Sequence, residues 1–210
     1  MLRGFRIRKG CRHEDAANPD RSARMSRPSS LLILAHGLAL LLALLPGCSS
    51  PVTNLDPVGQ VLPDVVGESL QGEQVRFPTD LEGPAILLVG YVQDAQFDLD
   101  RWILGLVQLG TPVAIYEVPT IDGLVPGMFA GSIDGGMRSG IPSEDWGAVV
   151  TLYDEDAARI VALTGNERPR NGRVLLLDGD GGIVWFQDRG YSAGLVSDLD
   201  AAARGLLEAR

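Results

Sequence analysis

The chain has 210 residues with 27 acidic and 18 basic side chains, so its formal net charge is −9. Nucleic-acid binding depends on basic side chains that neutralise phosphates, and this balance argues against it, as it does against charge-driven docking on anionic lipid. The length suits one domain with a sizeable core.

The first 47 residues differ from the rest. Eight basic residues precede a nearly unbroken apolar run, Leu31 to Leu45, which is shorter than the roughly 20 residues of a membrane-spanning helix. The ending Leu-Pro-Gly-Cys48 resembles the lipobox of bacterial lipoproteins, apart from its proline. We predict a signal peptide over 1–47, with Met25 as a candidate true start, and a lipid on Cys48. An ordinary cleaved signal and a retained N-terminal anchor are the alternatives.

Removal of this leader leaves residues 48–210, with ten arginines and 24 acidic side chains. Both histidines and Cys11 lie in the leader, and the lipid consumes Cys48. Histidine-based triads, disulfides, thiol exchange and the usual zinc sites are therefore excluded from the mature chain. We predict no cofactor. Because Ser49 resembles the outer-membrane sorting type, we expect the periplasmic side of the outer membrane if the source has two membranes.

Residues 48–60 are predicted to be a lipidated tether, and 61–210 the folded domain. Apolar residues around two glycines predict a β-hairpin over Val65–Phe77. The apolar run Ala85–Val92 predicts a strand covered on both faces. A helix capped by Asp94 or Asp98 follows, and its predicted inner face comprises Leu99, Trp102, Ile103, Leu106 and Val107.

The second half alternates strands and helices. The predicted strands are Val113–Val118, Ala148–Tyr153, Arg173–Leu177 and Ile183–Phe186, with an irregular helix near Val125–Arg138. Asp154 is predicted to cap a short helix that Gly165 ends, and Ser192 to cap the last helix. Asp178–Gly182 is predicted to be a turn, because it lacks the glycine and glutamate spacing of a calcium loop. The inner face of the last helix is predicted to comprise Leu195, Leu199, Ala202 and Leu206.

This order predicts an α/β fold with a central mixed β-sheet flanked by helices and an N-terminal β-hairpin. It resembles the thioredoxin-like superfamily, nearest its redoxin or peroxiredoxin-like branch, through Leu62–Val75, Ala85–Val92 and the hairpin Val174–Trp185. The turn that carries the reactive cysteine in that family reads Gln-Asp94-Ala95-Gln96-Phe here. Gly172 stands at the position of the family's cis-proline. The resemblance therefore implies the fold without its redox chemistry.

A narrower similarity links Gly136–Pro142, Gly182–Trp185 and Gly190-Tyr191 to the thioredoxin-like assembly chaperone of the mitochondrial ATP synthase, and it implies a docking role. We expect the binding surface within 121–146, since long loops in compact domains are often functional and exposed tryptophan often anchors an interface. The candidate residues are Met128, Phe129, Met137, Arg138 and Trp146.

Our first hypothesis is a lipid-anchored binding or assembly module with an envelope protein as partner. The alternatives are a hydrolytic or metal-dependent enzyme or a small-ligand binder that uses Asp94, Asp98 and Asp100, and a redoxin-related antioxidant accessory protein. Helix capping explains these aspartates more simply. Trp102 and Trp185 lie in apolar patterns and are predicted to be core residues.

Overall fold

A computed structural model describes residues 51–123 and 127–209, and for 127–130 it describes the backbone alone. These residues belong to the compact unit Ser50–Arg210, so the predicted leader and Cys48 lie outside them. The strands are β1 (Val65–Ser69), β2 (Gln74–Phe77), β3 (Ala85–Gly90), β4 (Ala114–Ile121), β5 (Val150–Tyr153), β6 (Arg173–Leu177) and β7 (Ile183–Gln187). The α-helices are α1 (Gln96–Leu109), α2 (Gly127–Gly140), α3 (Asp154–Thr164) and α4 (Ala193–Glu208).

The strands form one mixed sheet in the order β2-β1-β5-β4-β3-β6-β7. β3, β4 and β5 are parallel, whereas β6 and β7 extend one side in antiparallel fashion and the hairpin β1–β2 extends the other. Parallel neighbours need long crossover connections, which is why helices alternate with these strands. The predicted α/β architecture, with its central mixed sheet and N-terminal hairpin, is confirmed.

The sheet is apolar on both faces because alternate residues of a strand point to opposite sides. On β3, Leu87 and Val89 pack in the cluster that α3 completes. Ile86 and Leu88 pack in the cluster formed with α1 and α4. This two-sided burial explains the unbroken apolar run in the sequence.

The inner faces predicted for α1 and α4 differ in part from the buried faces in the structure, because these two helices pack closely against each other. Gly105 lies so close to Val196 that a β-carbon there would stand 3.0 Å from its Cγ1. This close approach centres the buried face of α1 on Leu99, Trp102 and Leu106, and it leaves Val107 64 % exposed. On α4 the buried residues are Val196, Leu199 and Ala203, while the predicted Leu195, Ala202 and Leu206 lie at the margin.

The helix caps were predicted with mixed success. The hydroxyl of Ser192 accepts the backbone N–H of Leu195 at 3.2 Å, which confirms the cap of α4. Gly165 ends α3, also as predicted. Asp154 is instead the first residue of α3, with a φ of +48°, and Tyr153 takes the cap position. The prediction that Asp154 caps this helix was therefore wrong, because Asp154 lies within the helix and the cap residue, Tyr153, makes no side-chain hydrogen bond to its N–H groups.

Residues 52–62 form an N-terminal arm that packs on the domain, and here the structure differs from the predicted tether. The backbone of Val52 exchanges two hydrogen bonds with Asn166, of 2.7 and 2.8 Å. Further along, the N–H of Leu62 bonds the carbonyl of Gly181 at 2.9 Å. Any side chain at Gly165 would overlap the backbone of Thr53. The arm is therefore an integral part of the domain.

The hairpin turn between β6 and β7 is held by one carboxylate. Asp178 accepts the N–H groups of Asp180 and Gly182 at 2.9 and 2.8 Å, as a tight turn requires. Among the described residues, no helix combines the length and apolarity needed to cross a membrane.

Candidate functional site

The turn that carries the reactive thiol in redoxins lies at the carboxyl end of β3. Here Gln93–Ala95 form a 3-10 turn that leads directly into α1. In the first turn of this helix, Asp98 points towards the start of β6. Its two carboxylate oxygens accept the backbone N–H of Gly172 at 2.9 Å and that of Tyr191 at 2.8 Å. These two bonds join α1 to the segments at Gly172 and Tyr191, and we call them the Asp98 clamp. The clamp occupies this end of the sheet.

The predicted capping role of Asp94 and Asp98 was wrong. Ala95 occupies the cap position of α1, and its side chain offers no acceptor. Asp94 instead lies 3.3 Å from the guanidinium of Arg170, in a pair whose side chains are 61 % and 79 % exposed. Such exposed pairs contribute little to stability. Asp98 is the structural residue of the two, because its partners are buried or half-buried backbone groups.

Gly172, at the predicted cis-proline position, immediately precedes β6. A β-carbon at this residue would overlap the side chain of Leu99. Its N–H is also used, by Asp98, and proline has no N–H to donate. Space and hydrogen bonding both require a residue with a free N–H and no side chain at this position.

A buried carboxyl lies beside the same turn. Glu117 on β4 is only 9 % exposed, and this burial raises its pKa above the ordinary value, while a hydrogen bond from Gln96 opposes the shift. Gln96 also donates to Asp100 at 2.8 Å. The side-chain amide of Gln96 therefore bonds both carboxylates, while the charge of Asp100 adds to the rise in the pKa of Glu117.

Sequence reasoning missed a second buried polar centre, at Arg173. This side chain is fully buried, although we predicted its strand to be apolar. It donates to the carbonyls of Arg168 and Asn171 at 2.6 and 2.8 Å and to the side chain of Asn54 at 3.0 Å. Burial lowers its pKa. Its Nε atom has no partner among the described residues.

Tyr91 covers the other side of this arginine. The guanidinium carbon of Arg173 lies 5.1 Å from the centre of the tyrosine ring, a cation–π distance. The Tyr91 hydroxyl is 2.6 Å from that of Thr164, and burial raises the pKa of this tyrosine to about 12. The signal available in the sequence was a single arginine at the head of a strand that is otherwise apolar.

Asn54 connects the N-terminal arm to Arg173. Its side-chain oxygen accepts from Arg173 and from the N–H of Glu167, at 3.0 and 2.9 Å. Its amide nitrogen donates to Asp188 at 2.6 Å. The side chain of Asn54 therefore links the arm to the segment before β6 and to the segment after β7. Since Asn171 also bonds Asp188, this centre adjoins the Asp98 clamp.

The predicted binding surface over 121–146 is partly used within the fold. The Nε of Arg138 donates to the carbonyl of Leu70 at 2.7 Å, and its guanidinium lies 6.0 Å from the ring of Trp146. The indole N–H of Trp146 donates to Ile141 at 3.0 Å, so this tryptophan is half-buried rather than exposed as predicted. Met137 is also half-buried. The side chains of Met128 and Phe129 lie outside the described residues.

Exposed apolar residues that we did not single out lie beside the turn Gln93–Ala95. Phe97, at the start of α1, is 70 % exposed, and Val92, just before the turn, is 42 % exposed. In residues 51–123 and 127–209, no three carboxylate, histidine or cysteine side chains come together as a metal site would require.

Comparison with known proteins supports the fold. No protein-family model and no curated protein matches the sequence. Among solved structures, a candidate electron transfer protein of Aquifex aeolicus aligns with a TM-score of 0.52 at 18 % identity, covering 70 % of this chain and 99 % of its own. An uncharacterised conserved protein of Geobacillus kaustophilus has a TM-score of 0.52 at 17 % identity, covering 79 % and 89 %. An exposed lipoprotein thioredoxin of Streptococcus pneumoniae has a TM-score of 0.45 at 10 % identity, covering 67 % and 99 %.

The chain therefore has a thioredoxin-like fold, as the order of its elements predicted. The similarity concerns the fold alone, because every identity quoted is below one residue in five.

Proposed function

We propose that this chain is a lipid-anchored envelope protein whose thioredoxin-like domain binds a partner protein without thiol chemistry. The anchor rests on the signal-like leader and on Cys48 in its lipobox-like context. A lipidated Cys48 leaves the mature chain without a thiol. Thiol–disulfide exchange needs a thiolate as nucleophile, so the domain acts by other means.

The observation that carries this proposal is the Asp98 clamp. At the end of the sheet where redoxins keep their cysteine, the carboxylate of Asp98 bonds two backbone N–H groups of this chain. These bonds fix the loops before β6 and before α4. The arrangement supports a rigid scaffold, in which both oxygens of the Asp98 carboxylate accept hydrogen bonds from the chain itself.

Helix α2 supports a protein partner. Arg138 ties its end to the β1–β2 turn, and Asp134 accepts the hydroxyl of Tyr153 at 2.9 Å, so the helix is fixed in place. At Gly131 and Gly135 a β-carbon would meet no atom of the described residues within 4 Å. A fixed helix with bare backbone on one side lets another chain approach closely, as small residues do at other helix interfaces.

The first experiment is co-purification of the lipidated protein from its native membranes, followed by mass spectrometry. A Cys48→Ala variant, which lacks the lipid, shows what binds without the anchor. We expect a defined membrane complex with the lipidated form. Recovery of bulk lipoproteins alone would contradict the binding role.

A matched pair of variants tests the surface. Gly135→Trp adds a large side chain to the open side of α2, and Gly205→Trp does the same on α4, where a β-carbon also meets nothing described within 4 Å. Both should fold. We expect loss of the partner with Gly135→Trp and retention with Gly205→Trp, and equal recovery from both would exclude this side of α2.

A further inference from the structure

The position of the N-terminal arm, together with the proposed lipid on Cys48, determines which end of the domain meets the membrane. Only Ser49, Ser50 and Pro51 separate Cys48 from Val52, and Val52 is held by its two hydrogen bonds to Asn166. Fully extended, this stretch spans about 14 Å, at roughly 3.3–3.6 Å per residue. Part of that length crosses the headgroup layer, which is about 5–7 Å thick on each side. The remainder is shorter than the 10–12 Å diameter of a helix.

The surface beside Val52 has the composition of a membrane-contacting face. The exposed Arg168 and Arg170 follow Asn166 in the chain, and Arg170 reaches Asp94 at 3.3 Å. Asp94 lies in turn between the exposed Val92 and Phe97. We call the surface of Val52, Val92, Phe97, Arg168 and Arg170 the anchor-proximal face. Apolar and aromatic side chains beside arginines are the usual composition of a protein surface in the membrane interface.

Charge favours the same orientation. The mature chain carries 24 acidic residues and ten arginines, yet the loop 166–172 contains two exposed arginines, Arg168 and Arg170, and one glutamate. An anionic bilayer therefore repels most of the domain and attracts this loop. The overall acidity argued against charge-driven docking on lipid, but the distribution of charge in the fold changes that conclusion for this one face.

We propose that the anchor-proximal face lies on the bilayer that holds the Cys48 lipid, with Arg168 and Arg170 at the lipid phosphates and Phe97 in the interface. This inference rests on the proposed lipidation. The end of the sheet that carries the Asp98 clamp then faces the membrane, and the turn at Asp178–Gly182 faces away from it. The open side of α2 is not part of the contact.

Energy transfer to lipid tests the orientation. The mature lipidated chain has no free thiol, so a single introduced cysteine can be labelled selectively. Gln93→Cys places a donor dye on the anchor-proximal face, and Asp180→Cys places it at the opposite end of the sheet, roughly 17–20 Å away for strands of this length. The full lipidated protein is reconstituted in phosphatidylethanolamine–phosphatidylglycerol vesicles that contain a headgroup-labelled acceptor. We expect severalfold stronger transfer from position 93, and equal transfer from both positions would overturn the proposal.

Charge reversal tests the arginine contact. Arg168→Glu should reduce the transfer from position 93 towards that from position 180. Arg76→Glu makes the same change at an exposed arginine on β2 and should leave the difference intact. If Arg168→Glu and Arg76→Glu have the same effect on the transfer, Arg168 does not contact the lipid phosphates. The orientation could also appear in native membranes and be absent from pure lipid vesicles. That result would show that the anchor-proximal face contacts a membrane protein, and it would overturn the proposed contact with lipid.

The lipid and the orientation fail separately in this design. A protein without acyl chains by mass, or one that does not float with the vesicles, contradicts the lipid anchor itself. A protein that floats and gives equal transfer from both labels retains its anchor and contradicts only the orientation.

Discussion

The carboxylate of Asp98 accepts the backbone N–H of Gly172 at 2.9 Å, across 74 residues of chain. Its other oxygen holds Tyr191, so one side chain connects α1 to the loops before β6 and α4. Hydrogen bonds to a charged acceptor contribute about 1.5–3 kcal/mol each, and a buried N–H left without a partner costs about as much. The clamp therefore contributes substantially to the stability of this end of the domain.

We expect Asp98→Ala to lower the free energy of unfolding by about 2–4 kcal/mol, because two N–H groups lose their acceptor. Asp94→Ala is the matched control, since it removes only an exposed ion pair and should cost about 0.5 kcal/mol or less. Urea unfolding of the soluble domain measures both. Similar losses from the two variants would show that Asp98 is not a structural clamp.

Gly172 and Leu99 should be energetically coupled, because a β-carbon at residue 172 overlaps the leucine side chain. Gly172→Ala keeps the N–H and should cost about 1–3 kcal/mol through overpacking. In a Leu99→Ala background the same substitution should cost much less, since the space is then free. A double-mutant cycle of unfolding free energies provides the test, and additive effects would contradict the overlap.

Asn54 should control the docking of the N-terminal arm. Asn54→Ala removes the acceptor for Arg173 and the donor to Asp188, at a cost of about 1–3 kcal/mol. The backbone amides of Leu55 and Leu62 should then exchange with solvent faster, as measured by hydrogen–deuterium exchange. Asp56→Ala, which loses only a local bond to Val58, should leave that exchange unchanged. Equal exchange in both variants would mean that Asn54 does not hold the arm.

Glu117 should make stability depend on pH. Burial raises its folded-state pKa above the unfolded value, so the folded state binds more protons between the two values, and its stability falls as pH rises through that window. Glu117→Gln cannot ionise, so it should raise Tm above that of the parent at pH 7, by about 2–4 °C for each 1 kcal/mol recovered. This gain in Tm should shrink at pH values below the pKa of the Glu117 carboxyl in the unfolded chain. Thermal unfolding from pH 4 to 8 measures it, and a constant difference would exclude titration of Glu117 as the cause.

The local patterns in the sequence predicted most of the fold and little of the clamp. The run from Ala85 to Val92 indicated a strand covered on both faces because burial of that kind is visible in neighbouring residues. The partners of Asp98 lie 74 and 93 residues away, and helix capping explained the same aspartate from its neighbours alone. The sequence placed Arg173 only at the start of an apolar strand, and the carbonyls that compensate for its burial come from residues 168 and 171, whose contacts the strand pattern does not show.

The docked arm also constrains the order in which the chain can fold. The partners of Val52 and Asn54 lie 113–134 residues further along the chain, near its other end. Closing loops of this length costs entropy before the contacts compensate for it. The arm therefore has nothing to bind until α3, β6 and β7 have assembled. We expect residues 52–62 to order last, so that the proposed lipidation of Cys48 can take place before the neighbouring arm has docked on the domain.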